Sequence, residues 1–266
     1  GLLISTLVEV GRLKTHKAVE GLPPRPLSEA QQVAHDAILA AWEEKEVVLL
    51  HGVTSSGKTE VYIELIRRVI AEGKQVLFLL PEIALTTQIT DRLGRVFGEQ
   101  LGVYHSKFPD NERVETWLRQ LSSEPFPLIL GVRSALLLPF QNLGLIIVDE
   151  EHEASYKQQD PAPRYHARDT ALVLAQRCGA KVLLGTATPA VETYYNVQKG
   201  KFGLVELHQR FGDLQMPQIL VEDVGELRRK KLMKTPFAPR LIDEMARAIE
   251  RREQVILFQN RRGYAP

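Results

Sequence analysis

The stretch V-V-L-L-H-G-V-T-S-S-G-K-T, residues 47–59, decides the fold. Its first four residues form a continuous apolar run, the pattern of a strand buried on both faces. Its last eight fit G-x-x-x-x-G-K-[ST], and residues 57–71 that follow have the apolar period of a helix. A strand, a glycine-bearing loop and a helix in that order form a P-loop, a cradle for nucleotide phosphates. Its glycines let backbone N–H groups converge on one anion, and the N-terminal dipole of the helix adds to the attraction. Lys58 supplies a point charge for the β- and γ-phosphates, and the Thr59 hydroxyl is a ligand for Mg²⁺. Gly52, Val53, Thr54, Ser55, Ser56, Gly57, Lys58, Thr59 and Glu60 are therefore the candidate ATP contacts.

Outward from this loop the same rhythm repeats. Further strand patterns lie at 76–80, 128–132, 145–148 and 181–184, with helical stretches between most of them, including 86–97. Upstream, a helical pattern begins at Leu27. Short apolar strands alternating with helices predict an α/β fold with a parallel sheet covered by helices on both faces. Residues 1–26 end in the proline-rich G-L-P-P-R-P and read as an N-terminal remnant and linker. Residues 27–208 form the first domain. Residues 209–236, with the basic run R-R-K-K at 228–231, read as a second linker. A helix at 241–250 and a strand at 255–258 open a second, truncated domain over 237–266.

Bulk properties set the class without naming the ligand. The chain of 266 residues is 44% hydrophobic and 25% charged, the mix of a globular protein with a sizeable core. Thirty-four basic residues balance 33 acidic ones, so a nucleic-acid surface would have to be a local patch. One cysteine, Cys178, allows neither an internal disulfide nor a zinc site within the chain. No apolar run approaches the roughly 18 residues of a membrane span. These features fit a cytoplasmic setting without membrane attachment. The start at Gly1 and the stop at Pro266 in mid-pattern suggest part of a longer protein.

A P-loop needs a second anchor for Mg²⁺ from an acid at the end of a neighbouring strand. L-G-L-I-I-V-D-E-E-H, residues 143–152, supplies it. Asp149 stands at the carboxyl end of an apolar strand, where ligands of open α/β sheets bind. Asp149 is the expected metal-site acid, and Glu150 the expected catalytic group that orients the attacking water, beside Lys58. The segment Y-K-Q-Q-D-P-A-P-R-Y-H-A-R-D, 156–169, interleaves aromatic and basic residues, the composition of a surface that stacks bases and grips phosphates.

D-E-E-H resembles motif II of superfamily 2 helicases, and the remaining motifs narrow the likeness. G-V-T-S-S-G-K-T-E-V-Y, L-P-E-I-A-L-T-T-Q (79–88), D-E-E-H-E-A-S-Y-K-Q, P-R-Y-H-A-R-D, T-A-T-P-A-V-E-T and the terminal N-R-R-G-Y-A-P together resemble the PriA family of replication-restart DNA helicases, over roughly residues 27–266. The resemblance implies a RecA-like P-loop NTPase fold and an ATP-dependent 3′→5′ DNA helicase core. In such motors, closure of two RecA-like domains steps one strand along.

The resemblance also implies individual roles. Gln31 stands where such proteins read adenine. His152, Thr186 and Thr188 would couple the D-E-E-H segment to T-A-T. Pro81, Thr86, Thr87, Ser106, Arg133 and Ser134 would contact one DNA strand, and Thr86 and Thr87 also suit a helix cap. Tyr156, Lys157, Arg164, Tyr165, His166 and Arg168 would form a DNA-sensing loop, although its tyrosines could equally pack on the sheet.

Ser55 departs from the glycine common in the family's P-loop, and Thr186 replaces the more usual serine. The family's paired zinc cysteines and the arginine that completes the ATP site lie in motifs that this sequence does not contain. Zinc is expected only in a full-length protein. Forked or single-stranded DNA, single-stranded-DNA-binding protein and primosome proteins are the partners the resemblance implies, for a monomer in a bacterial cytoplasm. A different superfamily 2 DNA or RNA translocase, or a nucleotide- and DNA-binding module without efficient turnover, are the alternatives.

Overall fold

A computed structural model of the chain describes residues 26–82, 84, 87–105, 108–209 and 218–258. The chain divides into two compact units, residues 1–214 and 215–266. The first is built on a seven-stranded sheet in the order β3-β4-β2-β5-β6-β1-β7. Its strands are β1 (Val47–Gly52), β2 (Gln75–Leu79), β3 (Leu101–Tyr104), β4 (Leu128–Gly131), β5 (Leu143–Asp149), β6 (Lys181–Thr186) and β7 (Gly203–Leu207). Every pairing is parallel, so all carboxyl ends reach the same edge. The helices are α1 (Glu29–Glu44), α2 (Lys58–Ala71), α3 (Thr87–Phe97), α4 (Asp110–Leu121), α5 (Ala167–Cys178) and α6 (Val191–Gln198). This is the RecA-like α/β architecture expected from the sequence.

The sheet is apolar on both faces because successive side chains of a strand point to opposite sides. Val48, Leu50, Val76, Phe78, Leu145, Ile147 and Leu183 pack with residues of α1, α2 and α3 in one core. Val47, Leu49, Leu77, Ile146, Val148, Val182 and Leu184 pack with Ala167, Ala171 and Ala175 of α5 in the other. The alanines let α5 lie close to the strands. A serine starts α1: Ser28 accepts from the Gln31 N–H, and the Gln31 side chain accepts from the Ser28 N–H at 2.9 Å. This S-x-x-Q capping box satisfies two donors that a helix start otherwise leaves open.

Two strands, β3 and β7, are absent from the reading of the sequence. Both are edge strands of four or five residues. In β7 the sequence G-L-V-E-L alternates buried and exposed positions, so it lacks the continuous apolar run that marks the inner strands.

The second unit contains α7 (Val224–Arg229) and α8 (Pro239–Glu250). Asp223 caps α7, accepting from the Glu226 N–H at 3.0 Å, so a short helix occupies part of the stretch read as a linker. The basic run forms the solvated end of that helix, with Lys230 paired to Glu226. Residues 255–258, read as a strand, form no strand, because the described residues of this unit supply no neighbour for them to pair with. Residues 1–25 and the terminal N-R-R-G-Y-A-P lie outside the described residues.

Candidate nucleotide site and its flanking surface

The P-loop runs from the end of β1 into α2. Its path is held by backbone bonds, Val53 N–H to Leu207 O and Ser56 N–H to Val53 O, both 3.1 Å. Gly57 lies at φ +78°, a conformation that favours glycine. A Cβ there would also collide with the amide nitrogen of Gln31. Ser55 is at φ +65°. The departure from glycine therefore falls on a left-handed residue, where a side chain costs roughly 1–2 kcal/mol. Ser55→Gly is expected to raise the midpoint of thermal unfolding by a few degrees, equivalent to roughly 1 kcal/mol, as read by calorimetry.

Lys58 folds back over the loop and donates from Nζ to Gly52 O at 2.9 Å, its stem lying on Gly52. Ser56 Oγ is buried without a hydrogen-bond partner. An unpartnered buried hydroxyl and a cation resting on a carbonyl are groups that an anion would satisfy. Thr59 is half-buried at the second position of α2. Glu60 forms an ion pair with Arg92 of α3.

Gln31 is buried in the structure. Its amide donates to Ser56 O at 3.2 Å and Gly57 O at 3.3 Å, while its oxygen closes the α1 cap. The side chain thus latches α1 to the P-loop. Any contact with a base would exchange one of these bonds.

The acidic end of β5 lies two strands from the P-loop, with β6 between them. Asp149 Oδ1 accepts a 2.8 Å bond from the hydroxyl of Tyr62, a fully buried residue one helical turn beyond Lys58. Burial, and then the charge of Asp149, holds the Tyr62 phenol well above its ordinary pKa, so it remains a donor. Burial also raises Asp149 to a pKa of about 6, against the lowering effects of Tyr62 and Lys58. An ionised carboxylate so placed is stabilised by a nearby cation. Asp149 and the Thr59 hydroxyl are the protein groups that would hold Mg²⁺ beside the phosphates.

Glu150 follows at φ +47° and is partly exposed. His152 Nδ1 lies 2.7 Å from Thr186 Oγ1 and 3.6 Å from Glu150 Oε2, and its Nε2 lies 3.4 Å from Thr188 Oγ1. Thr186 Oγ1 also accepts from the Thr188 N–H at 3.0 Å. The D-E-E-H and T-A-T segments are therefore joined by side chains at adjacent strand ends.

The flanking segment requires two corrections. Tyr156 is buried to 1% exposure, and its hydroxyl donates to Asp149 O at 2.6 Å and Leu79 O at 3.1 Å. It is a core residue bracing β5 against β2, so no face of its ring is available to stack on a base. Arg168 is buried as well, bonded to Glu151 at 3.0 Å and to Asp169 at 3.0 Å. Its charge is consumed inside the protein. Composition alone does not distinguish these residues from their solvated neighbours.

The other residues of the segment proposed to meet DNA remain near the surface. Lys157 and His166 form an antiparallel bridge that closes the loop, and Arg164 is exposed. Lys157 donates to Arg164 O. Burial lowers the His166 pKa, which weakens any charge-based contact with phosphate. Tyr165 donates to Arg133 O at 3.2 Å, and Arg133 donates to Ser155 O at 3.0 Å while lying 3.8 Å from Glu82. The loop and the Arg133 turn are thus stitched together. Ser134 Oγ, beside Arg133, is buried and unpartnered. Pro81 is buried, and Thr87 is exposed at the first position of α3. Thr86 and Ser106 lie outside the described residues.

Three residues of this region escape the motif reading: Tyr62, Glu151 and Gly185. Tyr62 carried one signal, since it stands at i+4 from Lys58 and so on the same helix face. Gly185 stands just before T-A-T-P and drew no role from it.

Among the described residues no helix is long and apolar enough to cross a membrane, and no group of three or more His, Cys, Asp or Glu residues could hold a metal ion.

Comparison with known proteins agrees with the motifs. The DEAD/DEAH box helicase family matches residues 28–197, more than half of the chain. The replication restart protein PriA of Bacillus subtilis is 39% identical over 275 aligned residues, covering 98% of this chain and 34% of that protein. PriA of Haemophilus influenzae is 44% identical, covering 83% of this chain and 29% of that protein. The chain thus spans about a third of the length of these relatives. Among solved structures, RecG bound to a three-way DNA junction superposes with a TM-score of 0.54 at 18% identity, covering 86% of this chain and 32% of RecG. The helicase MrfA bound to DNA gives a TM-score of 0.50 at 18% identity, covering 69% of this chain and 27% of that one. Those two likenesses establish the fold. From the family match, with PriA proteins as its relatives in sequence, it follows that this chain belongs to the DEAD/DEAH box helicase family.

Proposed function

We propose that this chain carries the ATP site and part of the DNA-gripping surface of a PriA-type 3′→5′ DNA helicase acting in replication restart. The observation that carries the reading is the meeting of three motifs at neighbouring strand ends. The P-loop ends β1, T-A-T ends β6 and D-E-E-H ends β5, and these strands are consecutive in the sheet.

In this reading ATP is the substrate. The loop N–H groups, the start of α2 and Lys58 hold its phosphates. Thr59 and Asp149 would hold Mg²⁺, which when bound neutralises phosphate charge. Tyr62 orients the Asp149 carboxylate through its 2.8 Å bond. Glu150 orients the attacking water and accepts its proton. His152, 3.6 Å from that acid and 2.7 Å from Thr186, links it to β6. Gln31 holds the P-loop and would exchange a bond to contact adenine.

The DNA strand would follow Pro81, Thr86, Thr87, Ser106, Arg133 and Ser134, with Lys157, Arg164, Tyr165 and His166 beside it. Backbone and hydroxyl contacts with Arg133 suit phosphate recognition, and the exposed Arg164 and Lys157 add charge. The implied partners are forked or single-stranded DNA, single-stranded-DNA-binding protein and primosome proteins, in a bacterial cytoplasm. In this reading zinc is expected only in a full-length protein.

Strand displacement by the intact protein tests the proposal. Unwinding should require ATP, proceed 3′→5′ on DNA, and fail on an RNA duplex of the same sequence. Equal unwinding of both duplexes would replace the reading with a general translocase.

A further inference from the structure

Glu151 stands between the proposed water-orienting acid Glu150 and His152, yet it faces the other way. Both neighbours are partly solvated, whereas Glu151 is 0% exposed. Its Oε1 accepts from the Ala190 N–H at 2.7 Å. Its Oε2 accepts from Thr193 Oγ1 at 2.8 Å and Arg168 Nη1 at 3.0 Å. Its own N–H donates to Gly185 O at 3.1 Å. Ala190 caps α6 and Thr193 lies in its first turn, while Arg168 lies in the first turn of α5. One residue therefore ties the end of β5 to β6 through its backbone and to the starts of two helices through its carboxylate.

This anchorage falls beside a strained residue. Glu150 is at φ +47°, in the left-handed region. A non-glycine residue there costs on the order of 1–3 kcal/mol and persists only where its surroundings over-determine it. The backbone after Glu150 is fixed twice, by the Glu151 anchorage and by the 2.9 Å bond from the Glu153 N–H to Glu150 O. A buried ion pair is a poor source of stability, since apolar residues of similar volume fill such a site as well or better. What the pair supplies is a fixed direction for the chain.

We propose that Glu151 is a positioning residue: its buried bonds to Arg168, Ala190 and Thr193 hold the left-handed turn that aims Glu150 at the nucleotide. The proposal rests on the reading of Glu150 given above. Loss of the anchor lets the turn relax, and the acid moves away from the attacking water. The P-loop contacts that bind ATP are made elsewhere and stay.

Two variants of the intact protein test this. Glu151→Gln keeps an acceptor for the Ala190 N–H but sets an amide NH2 toward Thr193 and Arg168, which both donate to Oε2, and removes the charge opposite Arg168. The double variant Glu151→Leu with Arg168→Met replaces the buried pair with apolar volume, so it folds even where the single variant does not. In each variant that folds by thermal melting, kcat for ATP hydrolysis is expected to fall about 10²-fold, the effect of a displacement near 1 Å. The KM for ATP should stay within about threefold of the parent, as for an interaction made only in the transition state. A double variant that regains both its melting temperature and its kcat would reduce Glu151 to a structural ion pair and overturn the proposal. So would a rise in KM in step with the loss of kcat. Glu150→Gln in the otherwise unaltered protein separates the two readings. Normal turnover there removes the role of Glu150 itself, whatever the Glu151 variants do.

Discussion

Replacing Lys58 with alanine is expected to lower ATP turnover by the intact protein about 10²–10³-fold, the loss typical of removing one preorganised donor from developing charge. The side chain starts at the N-terminus of α2, where the loop N–H groups and the helix dipole already favour an anion. Its ammonium rests on Gly52 O at 2.9 Å, a bond that the phosphates would replace. Only Lys58 brings a full positive charge into the loop itself. Removing it costs the fold little, since Gly52 O loses one donor at a partly solvated site, worth about 1 kcal/mol. The expected signature is a normal melting curve with phosphate release near background. Undiminished turnover would remove the nucleotide assignment, because no other described lysine reaches this loop.

Gly185→Ala should be nearly as damaging, and for a reason that lies in packing. A Cβ built on Gly185 falls inside the Tyr62 hydroxyl, 2.9 Å from the ring carbon that bears it and 3.2 Å from Asp149 Oδ1. Tyr62 is fully buried, with its ring edge-on to Phe78 at 5.5 Å, so it has little room to retreat. Overpacking of this kind costs about 1–3 kcal/mol. A buried phenol and carboxylate that lose each other add roughly 1–3 kcal/mol. The melting temperature should fall by about 5–15 °C, given the few degrees per kcal/mol of a domain this size. Turnover should fall with it, as the Asp149 carboxylate loses its orientation. Tyr62→Phe removes the clashing oxygen, so the pair Gly185→Ala with Tyr62→Phe should recover part of the stability while turnover stays low. If Gly185→Ala alone melts and turns over like the parent, Tyr62 does not set the position of Asp149.

What the sequence determined by itself was everything that local chemistry carries. The apolar run before Gly52 and the helical period after Gly57 fixed a strand, loop and helix at the phosphate cradle. The run before Asp149 placed an acid at a strand end, and His152, which the family resemblance couples to Thr186 or Thr188, stands 2.7 Å from the first of them. These features have in common that a few contiguous residues suffice, because backbone geometry follows from near neighbours.

Only the tertiary structure decided which way the remaining side chains turn. Tyr156 and Arg168 share their composition with Lys157 and Arg164, yet the first two are buried and Arg164 is exposed. Two of their partners, Leu79 for Tyr156 and Glu151 for Arg168, are separated from them in sequence and come adjacent only across the sheet and its helices. The Tyr62–Asp149 bond spans 87 residues, and the space it needs is left by a glycine on a third element. No window of sequence contains such a triad. Long-range packing within a parallel sheet therefore fixed how Asp149 and its neighbour Glu150 are held, while the motifs fixed only that two acids stand at this strand end.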